Sequence, residues 1–469
     1  MKRLLCLSLL IIFPAAIIFA APKYPFPQNV RYSYGISPTK VNAEKVQEAF
    51  DEFMELYEEQ GGLARIKHDN LQNSVSEGIA YGMLLLVYMD NDENNTQPKF
   101  DKIWAYYNNF LDPKGLMNWK ISGFSQPTSD GRNSATDAEL DAAVALMQAY
   151  KQWGDEKYLN DAKTLISKIA AEEVNANGYL KPGDSWDTEK NISYFSTAAL
   201  TLFKQVSDFD WDKVIANSYS LIKKAQNANT GLVPNWCSEQ GTPSSSPYDN
   251  NRGNYTYDAT RTPWRLAWAY SWYGHQEAKE TCDKIASWIS SKTGNDPDNV
   301  VDGYKLDGTE VGDYNNATFV GPFGCAGMVD QKHQEWVDKC FNHLCTYEED
   351  VYYQASIRIL TLLYLSGNMP DLWNITDVKQ KCPVRLTHNK YPFSFNVSSD
   401  QKLLFSVPHA GNVTISVYNA SGRRLSTSVN RFFTEGMHSM PLPPMATGSY
   451  IFKLMTPDNQ LSRQISIVR

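Results

Sequence analysis

Residues that commonly hold metals are sparse in this chain. Its 469 residues include seven histidines and seven cysteines, and none of them forms a CxxC, HxxxH or HExxH spacing. The usual zinc frameworks need such pairs to converge on one ion, so neither a metal nor a cofactor is expected. Basic blocks are missing as well. Lys plus Arg number 44 against 52 Asp plus Glu, a net charge of −8, which argues against a polyanion such as nucleic acid as a partner. Beyond residue 20 no run approaches the roughly 18 apolar residues that a spanning helix needs, so no membrane span is expected in the mature chain.

Aromatic residues are plentiful: 12 Trp, 27 Tyr and 20 Phe make up 13% of the chain. Flat apolar faces with polar tips suit neutral, ring-shaped polar ligands as well as cores. The first twenty residues, MKRLLCLSLLIIFPAAIIFA, join a basic start at Lys2 and Arg3 to an apolar run and small residues at Ala20 and Ala21. This reads as a secretory signal peptide over 1–20, the alternative being an uncleaved anchor. The expected location is secreted or on the outer cell surface. Six cysteines remain after cleavage, and an oxidising compartment permits up to three disulfides. Buried free thiols are equally compatible.

From Val41 to Ser366 the apolar spacing predicts helix after helix: 41–60, 75–91, 98–111, 136–152, 156–174, 193–206, 210–228, 262–273, 275–292, 317–327, 331–345 and 350–366. Alternate helices start near 75, 136, 193, 262, 317 and 350, and the first four starts lie about 60 residues apart, as in a repeated helix pair. Six hairpins closing into a ring would bring six inner N-termini to one rim, whereas a helical solenoid would leave them in a row. A proline-bearing stretch over 374–392 reads as a linker. Residues 393–469 then carry short β patterns such as KLLFSVP, NVTISVYN, GSYIFKLM and QISIVR, expected to form a small β-sandwich. Its texture fits a sorting or attachment module, with contact to a cell surface or to secretion machinery, or a carbohydrate-binding module.

Three segments put an acid at the start of a predicted inner helix: Ser74-Val-Ser-Glu77, Thr136-Asp137-Ala-Glu139 and Tyr257-Asp258-Ala-Thr-Arg261. Each has a purely structural reading. Ser74-x-x-Glu77 and Thr136-x-x-Glu139 fit capping boxes, Asp137 would then be favoured at N1 by the helix dipole, and Thr262-Pro263 fits a helix start. On one rim, however, Glu77, Asp137 and Asp258 would meet among loop aromatics that include Trp119, Trp186, Tyr194 and Trp236. Paired carboxyls beside stacking surfaces are what glycosidic cleavage needs, one protonated to give its proton to the leaving oxygen and one ionised to activate water or attack carbon.

The motifs SEGIAYGM, GLMNWKI, NSATDAELDAAVALMQAYKQWG, YLKPGDSW, NISYFS, GLVPNWC, YDATRTPWR and YYQASIRILTLLYLSGN, in that order, resemble glycoside hydrolase family 8 over Tyr34 to Trp373. The resemblance implies an all-α (α/α)6 barrel over 21–373 with an open cleft, and inverting endo-hydrolysis of β-1,4-linked glycans. It implies Glu77 as general acid, Asp258 as general base and Asp137 as the acid that holds and distorts the sugar at the cleavage point. Arg261 would orient the base, and Trp119, Trp186, Tyr194, Tyr257 and Tyr353 would line the cleft. The chain departs from the family pattern at Ala138 and at Asn235, neither of which replaces one of the three acids. An endo-β-1,4-glucanase is the leading reading, an endo-β-1,4-xylanase its nearest rival, and a non-catalytic glycan-binding protein the alternative of another class.

Overall fold

The computed structural model describes residues 21–349 and 351–375, together with segments between 394 and 467. The expected signal peptide over 1–20 and all but the first two residues of the expected linker over 374–392 lie outside the described residues. The chain divides into two compact units, 1–382 and 383–469.

Among its described residues the first unit holds twelve α-helices: α1 (Ala43–Met54), α2 (Ser76–Tyr88), α3 (Gln97–Asn109), α4 (Thr136–Trp153), α5 (Glu156–Glu172), α6 (Thr197–Phe203), α7 (Trp211–Ala225), α8 (Arg261–Tyr273), α9 (Gln276–Lys292), α10 (Ala317–Gly327), α11 (Gln334–Leu344) and α12 (Tyr352–Leu365). The even-numbered helices pack one on the next, and α12 packs back on α2, so six helices close a ring. A second layer surrounds them, with α3 against α2, α5 against α4, α7 against α6, α9 against α8, α11 against α10, and α1 against α12. This is consistent with the expected (α/α)6 barrel and leaves no open solenoid end. Composition explains the layers. A helix that is apolar all round must be buried, whereas a one-sided stripe suits an outer position. In α2 every residue except Glu77 is buried. In α7 burial is confined to one stripe containing Trp211, Val214, Ser218, Tyr219 and Ile222.

Two ends of the ring differ. Residues 23–36 run across the end where the inner helices finish. Lys23, Phe26, Val30 and Ile36 donate backbone N–H groups to the carbonyls of Gln152, Asp90, Gly367 and Met328, at or just past the ends of α4, α2, α12 and α10. The opposite end, where the inner helices begin, is left to loops.

The expected helix over 41–60 stops at Met54. Residues Tyr57–Gln60 form β1 instead, paired antiparallel with β2 (Leu63–Ile66) through Gly61-Gly62. Both glycines have positive φ, 62° and 86°, which a two-residue hairpin turn requires. A second small sheet joins β3 (Asn73–Val75), β4 (Lys120–Ser122) and β5 (Gln126–Pro127) in that order.

Five of the cysteines are described, and all five are free thiols: Cys237, Cys282, Cys325 and Cys340 are buried and Cys345 is half-buried. Burial pushes the thiol of Cys237 up to about 12 and that of Cys345 to about 11, and the thiolate is the reactive form. Peptide mapping after alkylation at pH 8 should find the four buried cysteines unmodified in the folded protein and modified after denaturation. Fast labelling of these four in the native state would contradict the packing.

The second unit is all β among its described residues. Strands β6 (Ser394–Val397), β7 (Lys402–Val407) and β10 (Gly436–Pro441) form one antiparallel sheet in the order β10-β7-β6. Strands β8 (Gly411–Asn419), β9 (Arg424–Phe433), β11 (Gly448–Met455) and β12 (Gln460–Ile467) form another in the order β12-β11-β8-β9. One apolar cluster draws on both sheets, with Leu403, Phe405 and Val407 from β7 beside Val413, Ile415 and Val417 from β8 and Phe452 and Leu454 from β11.

Candidate active site

The open end of the ring is built from the first turns of α2, α4, α8 and α12. Pairing of β3 with β4 sets Val75 opposite Lys120, so the carbonyl of Trp119 accepts the N–H of Ser76 at 2.8 Å. Glu77 follows directly. Neither α2 nor α4 has a side-chain cap; their cap positions are Val75 and Ala135. The capping-box readings of Glu77 and Glu139 therefore fail. Asp137 is the second residue of α4 rather than N1, and α8 opens at Arg261 after Thr260 rather than at Thr262-Pro263.

One guanidinium gathers the three acids. Nη1 of Arg261 donates to Oε2 of Glu77 and, at 2.7 Å, to Oδ2 of Asp137. Its Nη2 donates to Oδ1 of Asp258 at 3.3 Å, and Tyr194 lies beneath with its ring centroid 5.3 Å from the guanidinium carbon. The acids differ in access to solvent: side-chain exposure is 3% for Asp137, 18% for Glu77 and 36% for Asp258. Asp137 is thus closed off behind Arg261, while Glu77 and Asp258 face a cleft of about 340 Å³ lined also by Asn235, Asp249, Asn251, Tyr257 and Tyr353.

Each acid has further partners. The hydroxyl of Tyr352 donates to Oε1 of Glu77 at 2.8 Å. Gly78 makes room for it, since a Cβ there would lie 2.8 Å from the Tyr352 ring. Asp258 accepts from Asn191 Nδ2 at 3.1 Å and from Trp236 Nε1 at 3.0 Å. The loop carrying it is tied to Asn235, whose Oδ1 accepts from the backbone N–H groups of Thr256 and Ala259 at 3.0 and 2.9 Å, and whose Nδ2 donates to the Asn251 carbonyl at 3.2 Å. An amide supplies both acceptor and donor, so the departure at Asn235 fits this loop.

The aromatic residues divide into two groups. Tyr353 and Tyr257 stand on the cleft wall; the Tyr353 hydroxyl donates to the Tyr257 carbonyl at 2.7 Å, and the Tyr257 hydroxyl to Asp302 at 2.8 Å. Trp186, Tyr194 and Trp119 are half-buried outside that immediate lining. Trp186 stacks on Trp236 at 4.6 Å, and Trp119 ties its Nε1 to the Asp130 carbonyl at 2.8 Å. Tyr352 and Asn191 carry no role in the sequence reading, Trp236 figures there only as a rim aromatic and Asn235 only as a departure from the family pattern; the adjacent Tyr352-Tyr353 pair is the signal for the first.

Electrostatics follow from one cation among three carboxyls. Burial pushes Asp137 up to about 7; Arg261 pulls it back and the Glu77 carboxylate adds to the rise. Farther back, burial with the neighbouring Glu173 pushes Glu139 well above the carboxylate range. Among the described residues no cluster of His, Cys, Asp and Glu suits a metal ion.

A family model for glycosyl hydrolases family 8 matches residues 30–367. The chain belongs to that family. It is a glycoside hydrolase. The β-glucanase of Niallia circulans is 33% identical over 391 residues, spanning 77% of this chain and 95% of its own length. Endoglucanase 2 of Ruminiclostridium josui is 34% identical, spanning 81% and 86%. Among solved structures, the apo β-1,3-1,4-glucanase of Paenibacillus sp. X4 superposes with a TM-score of 0.70 at 32% identity, covering 74% of this chain and 99% of its own. A family 8 xylanase from Teredinibacter turnerae, at 20% identity and TM-score 0.60 over 70% and 94% of the two chains, shares the fold.

Proposed function

We propose that this chain is a secreted, inverting endo-β-1,4-glucanase that cuts cellulose or mixed-linkage β-glucan. The observation that carries the reading is the convergence of Glu77, Asp137 and Asp258 on Arg261 at a cleft whose wall is built from Tyr257 and Tyr353. Glu77 gives its proton to the glycosidic oxygen. Asp258, the most exposed of the three acids and held by Asn191 and Trp236, takes a proton from the attacking water on the opposite face of the sugar ring. Asp137, closed off from the cleft, does not hold the sugar directly as expected; it acts through Arg261, whose guanidinium it fixes between Glu77 and Asp258. The β-glucanase and endoglucanase relatives at 32–34% identity favour β-glucan over xylan as substrate. The leader at 1–20 supports export, and we read the two C-terminal sheets as a small sandwich serving surface attachment.

Carboxymethylcellulose, lichenan, xylan and chitosan assayed side by side test the substrate. Turnover of the first two is expected, and turnover of xylan or chitosan alone would sink the assignment. Proton NMR of the earliest product should show the α-anomer. A β-anomer would mean retention and a different second carboxylate.

A further inference from the structure

The two loop groups that hold Asp258 come from segments that are themselves clamped together. Asn191 reaches Oδ1 of Asp258 and Trp236 reaches Oδ2, at 3.1 and 3.0 Å. Their segments meet in an antiparallel bridge between Lys190 and Cys237. The Lys190 N–H donates to the Cys237 carbonyl at 2.8 Å, and the Cys237 N–H to the Lys190 carbonyl at 3.0 Å. A third segment joins them at Arg252, whose carbonyl accepts the Trp236 N–H at 2.9 Å.

The side chain of Arg252 closes the arrangement. It grips Glu189, two residues before Asn191, with two nitrogens, Nε to Oε1 at 3.0 Å and Nη2 to Oε2. Its guanidinium carbon also lies over Trp236, 4.8 Å from the ring centroid. One residue thus touches both the indole that donates to Asp258 and the segment that carries Asn191. A planar guanidinium can bind a carboxylate through two N–H groups while it covers an aromatic face. Global stability is a poor reason for the pair. The side chains of Arg252 and Glu189 are 20% and 23% exposed, and ion pairs open to solvent add little.

Resting on Asp258 as the general base, we propose that Arg252, held by Glu189, is a positioning residue for the reaction. It fixes the Trp236 indole, and through it the plane of the Asp258 carboxylate. A carboxylate oxygen offers about two acceptor sites. Oδ1 fills both with Asn191 and Arg261, whereas Oδ2 has Trp236 as its one donor among the described residues. Oδ2 therefore keeps a lone pair for the attacking water. Where that lone pair points depends on the indole. Once the indole is loose, the carboxylate turns about its bonds to Asn191 and Arg261, and the water leaves the line of attack. A misplacement of about 1 Å can cost roughly 10²-fold in rate.

The test is a double-mutant cycle on hydrolysis of an aryl cello-oligosaccharide, which separates action through Asp258 from action elsewhere. Arg252→Met should lower kcat by about tenfold or more and change KM less. In the Asp258→Asn background the same substitution should cost nothing further, because the group it positions has lost its function. An unchanged kcat in Arg252→Met, or an equal loss in both backgrounds, would overturn the proposal. If Arg252→Met does not melt cooperatively, Glu189→Gln decides, since it removes the charge and keeps the side-chain size. Its smaller loss of kcat should likewise vanish beside Asp258→Asn, and no loss or a persistent one rejects the role. Asp258→Asn alone at the parent rate would instead count against the reading of Asp258 as base, so the two failures are distinguishable.

Discussion

Glu77→Gln is expected to lower kcat on β-glucan by about 10³-fold or more while leaving binding to the insoluble polysaccharide intact. Removing a general acid costs on the order of 10²–10⁴ in rate, and an unactivated sugar leaving group depends on that proton fully. The substitution is quiet elsewhere. The amide oxygen of Gln can accept from Arg261 Nη1 while its Nε2 donates to the Tyr352 hydroxyl oxygen, and its size leaves the gap above Gly78 unchanged. Asp258→Asn should cause a comparable loss for the opposite reason, since an amide cannot take a proton from water. Its oxygen keeps the bonds from Asn191 and Arg261. Measured on an aryl glycoside with a good leaving group, Glu77→Gln should recover much of its rate and Asp258→Asn should not. If either variant ran at near the parent rate on β-glucan, the roles assigned to the pair would be wrong.

The second large effect is on stability. Arg261→Leu leaves three carboxyls facing one another with no cation among them, and breaking a buried ion pair from one side costs about 3–5 kcal/mol. The penalty should depend on pH in a defined sense. Burial raises Asp137 above its unfolded value, to about 7. The native state therefore binds more protons than the unfolded chain between about pH 4 and 7, and stability falls as pH rises through that window. Without Arg261 the rise of Asp137 is larger, so the deficit of the variant should be greater at pH 8 than at pH 5. Thermal unfolding at the two pH values measures this; equal deficits would show that Arg261 acts through packing. Arg261→Lys should recover part of the stability and little of the activity, because one ammonium cannot span the acids as a planar guanidinium does.

The helices were legible because apolar spacing and end signals agreed over long segments. Where they disagreed, local polar chemistry won. The helix expected over 193–206 begins only at Thr197. Asn191 draws in the N–H and hydroxyl of Ser193 and fixes a single 3₁₀ turn, Ile192–Tyr194, while its own amide reaches Asp258. A side chain that bonds nearby backbone competes with the helix. The Gly61-Gly62 hairpin was readable and was missed because the acidic run before it keeps a helical spacing. The acids stood out by motif. The role of Arg261 as a shared partner did not, since it binds groups 184 and 124 positions away. Tyr352 stayed hidden for the same reason.

The outer partner of α12 is α1, the first helix among the described residues. Five hairpins are made of neighbours, but the sixth joins the two ends of the barrel segment. During synthesis Glu77 leaves the ribosome 275 residues before Tyr352, its hydrogen-bond partner. At about 5–20 residues per second that is roughly 14–55 s. Throughout this interval α2, apolar on every side, has no closed ring to enter. The ring therefore closes only once its last inner helix has emerged, and truncation before α12 removes Tyr352 and Tyr353 from the site.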